Sequence, residues 1–412
     1  MTGVPSSCDV AIIGAGPAGA VAAAILAHKG YEVVVLERET FPRFSIGESL
    51  LPQCMAFLEE AGMIEAVQSA GFQLKNGAAF DRGGCHSVFD FSQKFTAGWP
   101  CTYQVQRARF DMLLADEAAK AGAQIHYRLE IREAALGDDG VRLTYRSPDG
   151  AQAELRAHFC LDASGFGKTL ARLLGLDAPG DATVRQSVFT HVVDNMNGAL
   201  FDRDKILITV HPVHHSVWFW LIPFSDGTSS VGVVGAEAFF ERYGGDEGAV
   251  LRAIVGETGL LAELLSHADY RQPARRITGY ASAVKKLHGP GFALLGNAGG
   301  FLDPVFSSGV TIALKSASLA AKALGRQLQG HEVDWEADFA APLNRGVETF
   351  RHFVAAWYDG RLQDIIFARS QNPKIQRMIC SILAGYAWDV ENPYVAQPGR
   401  RLTALAEACR LR

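Results

Sequence analysis

The clearest change of hydrophobic period lies in residues 8–39, CDVAIIGAGPAGAVAAAILAHKGYEVVVLERE. A short β-type apolar run ends at Gly-Ala-Gly-Pro. An Ala-rich run of helical character follows, and then a second β-type run that ends in acid. The pattern predicts strand, glycine turn, helix, strand. Residues 10–27 carry no charge and are long enough to be mistaken for a membrane span. The Gly-Ala-Gly-Pro break argues for strand–turn–helix instead. Residues 41–52 read as a loop entering a helix. Residues 102–127 read as an extended stretch, an amphipathic helix and a strand. A Pro-Asp-Gly turn splits 140–165 into a hairpin whose second strand ends at Asp162. Residues 183–238 are β-rich, with a turn at Ser225-Asp226-Gly227. Residues 246–268 are helical by pattern, 291–324 are strand, loop and long helix, and 334–412 are mostly helical. There is no repeat, low-complexity segment or long linker.

Within the β-rich part stands HSVWFWLIPFSDG, residues 215–227. Successive side chains alternate faces on a strand, so Trp218, Trp220 and Ile222 share one face. On its own, a tryptophan pair on a strand is ordinarily core.

Composition narrows the classes. The chain has 412 residues, 48% hydrophobic and 20% charged, with a formal net charge of −5. That fits one large or two interleaved globular domains and gives no basic footprint for nucleic acid. Seven scattered cysteines without a CxxC pair suit free thiols in a reducing cytoplasm. The first residues lack a basic flank and an apolar signal core. In HPVHHS (211–216), His214 and His215 point to opposite strand faces, so no metal is expected. Ser164 in DASGF sits in no GxSxG elbow, which leaves a hydrolase triad unsupported. The amphipathic tail has basic residues too mixed to mark a membrane surface.

The chemistry begins at Gly14, Gly16 and Gly19. This GxGxxG follows a strand and opens a helix, and Glu37 lies 23 residues after Gly14. The first glycine permits the turn, the second lets a pyrophosphate approach, and the third lets helix pack on strand. The helix N-terminus offers N–H groups to phosphate, and the acid can hold a ribose. GNAGG (296–300) and DASGFG (162–167) lack the spacing, so one dinucleotide is expected.

Four motifs together resemble a flavoprotein class that includes aromatic hydroxylases, geranylgeranyl reductases and flavin-dependent halogenases. They are the GxGxxG with Glu37, PRFSIGESL (42–50), VQRARFD (105–111) and GNAGGFLDP (296–304). The resemblance implies FAD lying along the first motif, against Gly14, Gly16, Ala18, Gly19, Glu37 and Arg38. It adds Ile46, Gly47 and Glu48, then Arg107, Asn297, Pro304 and Gly309, for the pyrophosphate, ribityl chain and flavin. Asn297 departs from the family's Gly-Asp-Ala, which implies weaker FAD binding. WFWLIP (218–223) resembles the WxWxIP signature of the halogenase branch. The implied role of Trp218 and Trp220 is a wall that keeps organic substrate from the flavin while a small anion passes. FQLKNGAAF (72–80) resembles the segment bearing an essential lysine, here Lys75, which would hold or convert hypohalous acid. Taken alone, such a lysine is ordinarily a solvated surface residue. In DPVFSSGV (303–310) the backbone at Ser308 and Gly309 would bind halide, although helix capping by Ser307 or Ser308 explains the same serines. Phe306 stands where tryptophan halogenases carry Glu, which resembles the phenol and pyrrole type.

The resemblance therefore implies an α/β fold: a Rossmann-type FAD-binding domain (1–74, 105–182, 280–330), an inserted antiparallel β-sheet substrate domain (75–104, 183–279), and a helical C-terminal region (331–412). The implied function is halogenation of an electron-rich aromatic or activated carbon by reduced FAD, oxygen and chloride or bromide, through hypohalous acid. A separate flavin reductase would supply reduced FAD, and the small aromatic substrate would be free or tethered to a carrier protein. Alternatives are a monooxygenase or isoprenoid-type reductase of the same fold, or a flavin-binding protein without turnover.

Overall fold

The computed structural model describes residues 3–137, 140–179, 184–279, 282–369 and 372–410. The expected boundaries at 182/183 and 280 lie outside the described residues. Strand Ser7–Ile13 sits at the centre of the first sheet. It pairs in parallel with Val33–Glu37 on one side and Gln152–Asp162 on the other. Gln124–Tyr127 and Phe292–Leu294 extend the parallel part outward. Val33–Glu37 and most of Ser7–Ile13 are buried on both faces and read as near-continuous apolar runs, whereas Gln124–Tyr127 at the edge and the first half of Gln152–Asp162 are partly exposed. The hairpin of Glu130–Gly137 and Gly140–Arg146 adds antiparallel to Gln152–Asp162. The uncharged stretch 10–27 is the expected strand, turn and helix Pro17–Ala27. Among the described residues, no helix is long and apolar enough to cross a membrane.

A second sheet of seven strands runs in the order Arg275–Thr278, Arg185–Val193, Thr228–Ala236, Trp218–Pro223, Lys205–Val210, Gly77–Arg82, Cys85–Asp90. It is antiparallel except where Lys205–Val210 lies parallel to Gly77–Arg82. The two faces of its central strand feed different cores. Trp218, Trp220 and Ile222 join the main core with Phe80 and Phe189. Phe219 and Leu221 face a smaller core with Leu251 and Ile254, on the helix Glu247–Val255. A two-stranded ribbon, Gln73–Lys75 with Thr102–Gln104, sets Lys75 opposite Thr102.

The helix Ser308–Leu328 packs along Pro17–Ala27. Both are rich in alanine at the contact, which lets the backbones approach closely. The tail helix Ala341–Tyr358 packs on it in turn and buries Phe350, Phe353 and Trp357.

Candidate active site

The turn after the first strand is packed so tightly that only glycine fits at two of its positions. Gly14 has φ +93°, and a Cβ there would lie 2.8 Å from the Ala163 carbonyl oxygen. A Cβ on Gly19 would lie 1.9 Å from the Gly14 carbonyl oxygen, so the helix can start against the strand only with glycine there. Glu37 is buried and accepts hydrogen bonds from the Ala15 and Glu39 N–H groups, each 2.8 Å. The acid therefore ties the end of the second strand to the glycine turn. Asp162, at the end of strand Gln152–Asp162, instead holds the segment that follows it, accepting from the N–H groups of Ser164 and Leu170 at 2.9 and 2.7 Å. Burial pushes its carboxyl above the usual range, and the hydrogen bonds with Ser164 and Leu170 oppose that.

A cavity of about 740 Å³ opens from this turn. Its wall includes Gly14, Gly16, Ala18, Glu37, Arg38, Ile46, Gly47, Glu48, Arg107, Asn297, Pro304 and Gly309. Trp218, Trp220 and Ile222 also line it, so the face predicted from strand alternation is the face that meets the cavity. Both indole N–H groups are satisfied: Trp218 donates to the Tyr358 hydroxyl (2.9 Å) and Trp220 to Ser230 Oγ (3.0 Å). The indoles lie 6.0 Å apart, tilted by 49°. A Cβ on Gly232 of the neighbouring strand would lie 2.3 Å from the Trp220 ring, so that glycine makes room for the indole.

Two devices hold the loop 41–50 across the cavity. Arg107 pairs with Asp111 through two hydrogen bonds, of 2.7 and 3.0 Å, and its Nη1 donates to the carbonyls of Ile46 (2.5 Å) and Gly47 (3.3 Å). Arg43, inside the same motif, points back to Asp111 at 3.4 Å and Glu37 at 3.9 Å. On the other side, Phe44 stacks on Phe189 under the Arg275 guanidinium, and His191 Nε2 meets Glu48 Oε1 at 2.7 Å. Burial lowers the His191 pKa, but the hydrogen bond and charge of Glu48 outweigh it, so the net shift is upward.

Lys75 is 1% exposed, not a surface residue. It is not among the cavity's lining residues. Its Nζ donates to the Leu50 carbonyl (2.8 Å), directly after the cavity-lining Ser49, and lies 5.5 Å from the Phe91 ring. Burial pushes its ammonium down to about 7. Cys54 pulls the other way, but its own thiol is held above its usual range by burial and is uncharged at neutral pH. Behind the cavity wall thus lies an amine that burial leaves only partly protonated near pH 7, with no carboxylate paired to it among the described residues.

Ser308 is buried and Gly309 lines the cavity, as does Ser307 at φ +56°. No side-chain bond caps the helix Ser308–Leu328, so the capping explanation for Ser307 and Ser308 is not supported. Phe306 packs edge-on against Phe353 and Trp357. The structure thus gathers all the candidate cofactor positions around one cavity, except Gly19, which packs the helix onto the turn. Lys75 and Ser308 sit one layer behind. Sequence reasoning missed Arg43, Asp111, His191 and Tyr358. Arg43 and Asp111 stood inside quoted motifs, whereas His191 and Tyr358 carried no motif signal.

The residues present fit an FAD. The cavity volume falls in the range of cofactor sites, Gly14 and Gly16 line it beside the start of the helix Pro17–Ala27, and the buried acid Glu37 lines it too. Residues 7–338 match the family described as FAD binding domain. A tryptophan 2-halogenase of Chondromyces crocatus is 33% identical over 80% of this chain, and the match spans 63% of that protein's length. A 1H-pyrrole-2-carbonyl-[peptidyl-carrier protein] chlorinase of Pseudomonas fluorescens is 27% identical, covering 97% of this chain and 94% of its own. A crystal structure of a flavoprotein/dehydrogenase from Cytophaga hutchinsonii shares 43% identity with a TM-score of 0.95, over 98% of this chain and 99% of that one. The chain belongs to the FAD-binding domain family and, within it, to the flavin-dependent halogenase-like oxidoreductases.

Proposed function

We propose that this protein halogenates an electron-rich aromatic or similarly activated carbon with reduced FAD, oxygen and chloride or bromide, by way of hypohalous acid. The observation that carries the reading is the cavity face of strand Trp218–Pro223. It presents two anchored indoles and Ile222 to the site where FAD fits. An indole typically hides about 150–250 Å² of surface, so two of them make a wall that an arene cannot cross and a halide can.

Gly14 and Gly16 would receive the pyrophosphate, Glu37 the adenosine ribose, and Asn297 with Pro304 the flavin end. Bound in reduced form, FAD supplies the oxygen activation that turns halide into hypohalous acid. The chain's own residues do the rest. Backbone at Ser308 and Gly309 binds halide, and Trp218, Trp220 and Ile222 exclude substrate and water. Lys75, partly deprotonated through burial, would turn its Nζ from the Leu50 carbonyl to the cavity, where the free amine takes the halogen from hypohalous acid as a haloamine with water leaving, or the ammonium hydrogen-bonds the acid, and so orient it toward the ring. Phe306 supplies no carboxylate, which fits a substrate that is already electron-rich, such as a phenol or pyrrole. The one nucleotide fingerprint favours reduction of FAD by a separate reductase. A carrier-tethered substrate is favoured by the likeness to the pyrrole-2-carbonyl chlorinase.

A second reading, a dehydrogenase or reductase that uses no halide, is favoured by the 43% identity to the Cytophaga flavoprotein/dehydrogenase. A halide requirement for product formation separates them, and the Trp218→Ala/Trp220→Ala variant, scored per bound FAD, tests the wall. The halogenase reading expects halogenation to fall and direct oxygenation or peroxide release to rise. Unchanged partition in a variant that still binds FAD would reduce the pair to core packing.

A further inference from the structure

The two tryptophans of the wall are anchored differently. Trp220 donates to Ser230 on the adjacent strand of its own sheet. Trp218 donates to Tyr358, the last residue of the tail helix Ala341–Tyr358. The Tyr358 hydroxyl then donates to Asp303 Oδ2 at 2.8 Å. Asp303 is 6% exposed, and its other oxygen accepts the Val305 N–H at 3.2 Å, capping the short turn Pro304–Phe306. That turn runs directly into Ser307, Ser308 and Gly309. The Arg185 guanidinium lies 3.5 Å from the Tyr358 ring centroid and 3.9 Å from Asp303 Oδ2. One residue earlier, Trp357 packs against Phe306 of the same turn and against Phe80.

We infer that Tyr358 is a positioning residue: its hydroxyl locks the Trp218 half of the wall and the 303–309 loop into one geometry. The inference rests on the proposed function above and names the residue through which the tail region acts on that site. The hydroxyl both accepts from the wall and donates to the loop. Its loss leaves the Trp218 indole N–H and the Asp303 carboxylate without this partner in a buried place, and such groups relax to find water or another partner. Water entering there would stand between Trp218 and Pro304, two lining residues of the FAD cavity. Trp220, held by Ser230, would stay.

The test is a double-mutant cycle on the FAD-reconstituted protein. Tyr358→Phe keeps the ring under Arg185 and removes only the hydroxyl, so folding is preserved where Tyr358→Ala would endanger it. It is combined with Trp218→Phe and, separately, with Trp220→Phe. The readouts are the visible spectrum and dissociation constant of bound FAD, and peroxide released per reduced FAD oxidised, with bromide and phenol as probes. Residues in one hydrogen-bond network couple and independent ones add. Tyr358→Phe is therefore expected to raise peroxide release about threefold and alter the bound-FAD spectrum. Trp218→Phe in that background should add less than about 1.5-fold, while Trp220→Phe should multiply in full. A wild-type spectrum and peroxide yield in Tyr358→Phe, or full multiplication with Trp218→Phe, would overturn the inference. If the wild-type protein brominates no phenol, the proposed function fails on its own. The spectrum and peroxide arms still decide the role of Tyr358.

Discussion

Replacing Lys75 by Met should stabilise the protein and abolish its halogenation, with the stability gain fading as pH rises. The lysine's folded-state pKa, pushed by burial from an ordinary 10.5 to about 7, means that folding disfavours the ammonium. The gap corresponds to about 5 kcal/mol. The sign follows from proton counts. Between about pH 7 and 10.5 the unfolded chain holds a proton at Lys75 that the folded chain lacks, so stability rises with pH across that window. Below about pH 7 both states are protonated and the full penalty stands. Met has similar length and no charge, so Lys75→Met removes the penalty. It also leaves the Leu50 carbonyl without the 2.8 Å bond from Nζ, at a cost of about 1–3 kcal/mol. The net expectation is a gain of about 2–4 kcal/mol at pH 6, turning to neutral or slightly negative near pH 10. Urea unfolding of both proteins at pH 6, 8 and 10 measures it, with a mass-spectrometric assay for product alongside. A variant less stable than wild type at pH 6, or a difference flat across pH, would refute a lysine ammonium destabilised by burial. Retained halogenation would refute its catalytic role.

Three further outcomes follow from the geometry. Gly232→Ala places a methyl 2.3 Å from the Trp220 ring and should push the indole toward the cavity, lowering stability by about 1–3 kcal/mol and weakening FAD binding; equilibrium dialysis that shows unchanged affinity counts against the wall's placement. Glu37→Ala strands the Ala15 and Glu39 N–H groups and should cost at least about tenfold in FAD affinity, and about 1–3 kcal/mol in thermal or urea unfolding of the apoprotein. Asn297→Asp restores the carboxylate usual in the family and should retain more FAD through gel filtration, read as the ratio of flavin to protein absorbance; equal retention would show that Asn297 does not limit binding.

The sequence made some parts of this legible because their physics is local. The glycine turn and its acid depend on spacing within one strand–turn–helix–strand unit, and Gly14, Gly19 and Glu37 occupy the expected places. The side chains that share a face with Trp218 follow from strand alternation alone. Other parts rest on partners distant in sequence. Lys75 reads as an ordinary lysine until the fold seals it against Leu50 and Phe91. Nothing local to Tyr358 or His191 announces that they will meet Asp303 or Glu48, which lie 55 and 143 residues away. Nor does local pattern reveal that one pair of the second sheet is parallel, because a segment from 77–82 returns to pair with 205–210. The resemblance closed part of this distance by fixing which segments converge, but it did not show what each side chain touches.

The most direct measurement of the central claim is mass spectrometry of phenol and pyrrole probes incubated with the protein, reduced FAD, oxygen and either chloride or bromide, with each component omitted in turn. The account predicts products carrying the chlorine or bromine isotope pattern only when all components are present, and no hydroxylated product without halide. Hydroxylated or reduced product formed in the absence of halide, with none halogenated in its presence, would contradict it.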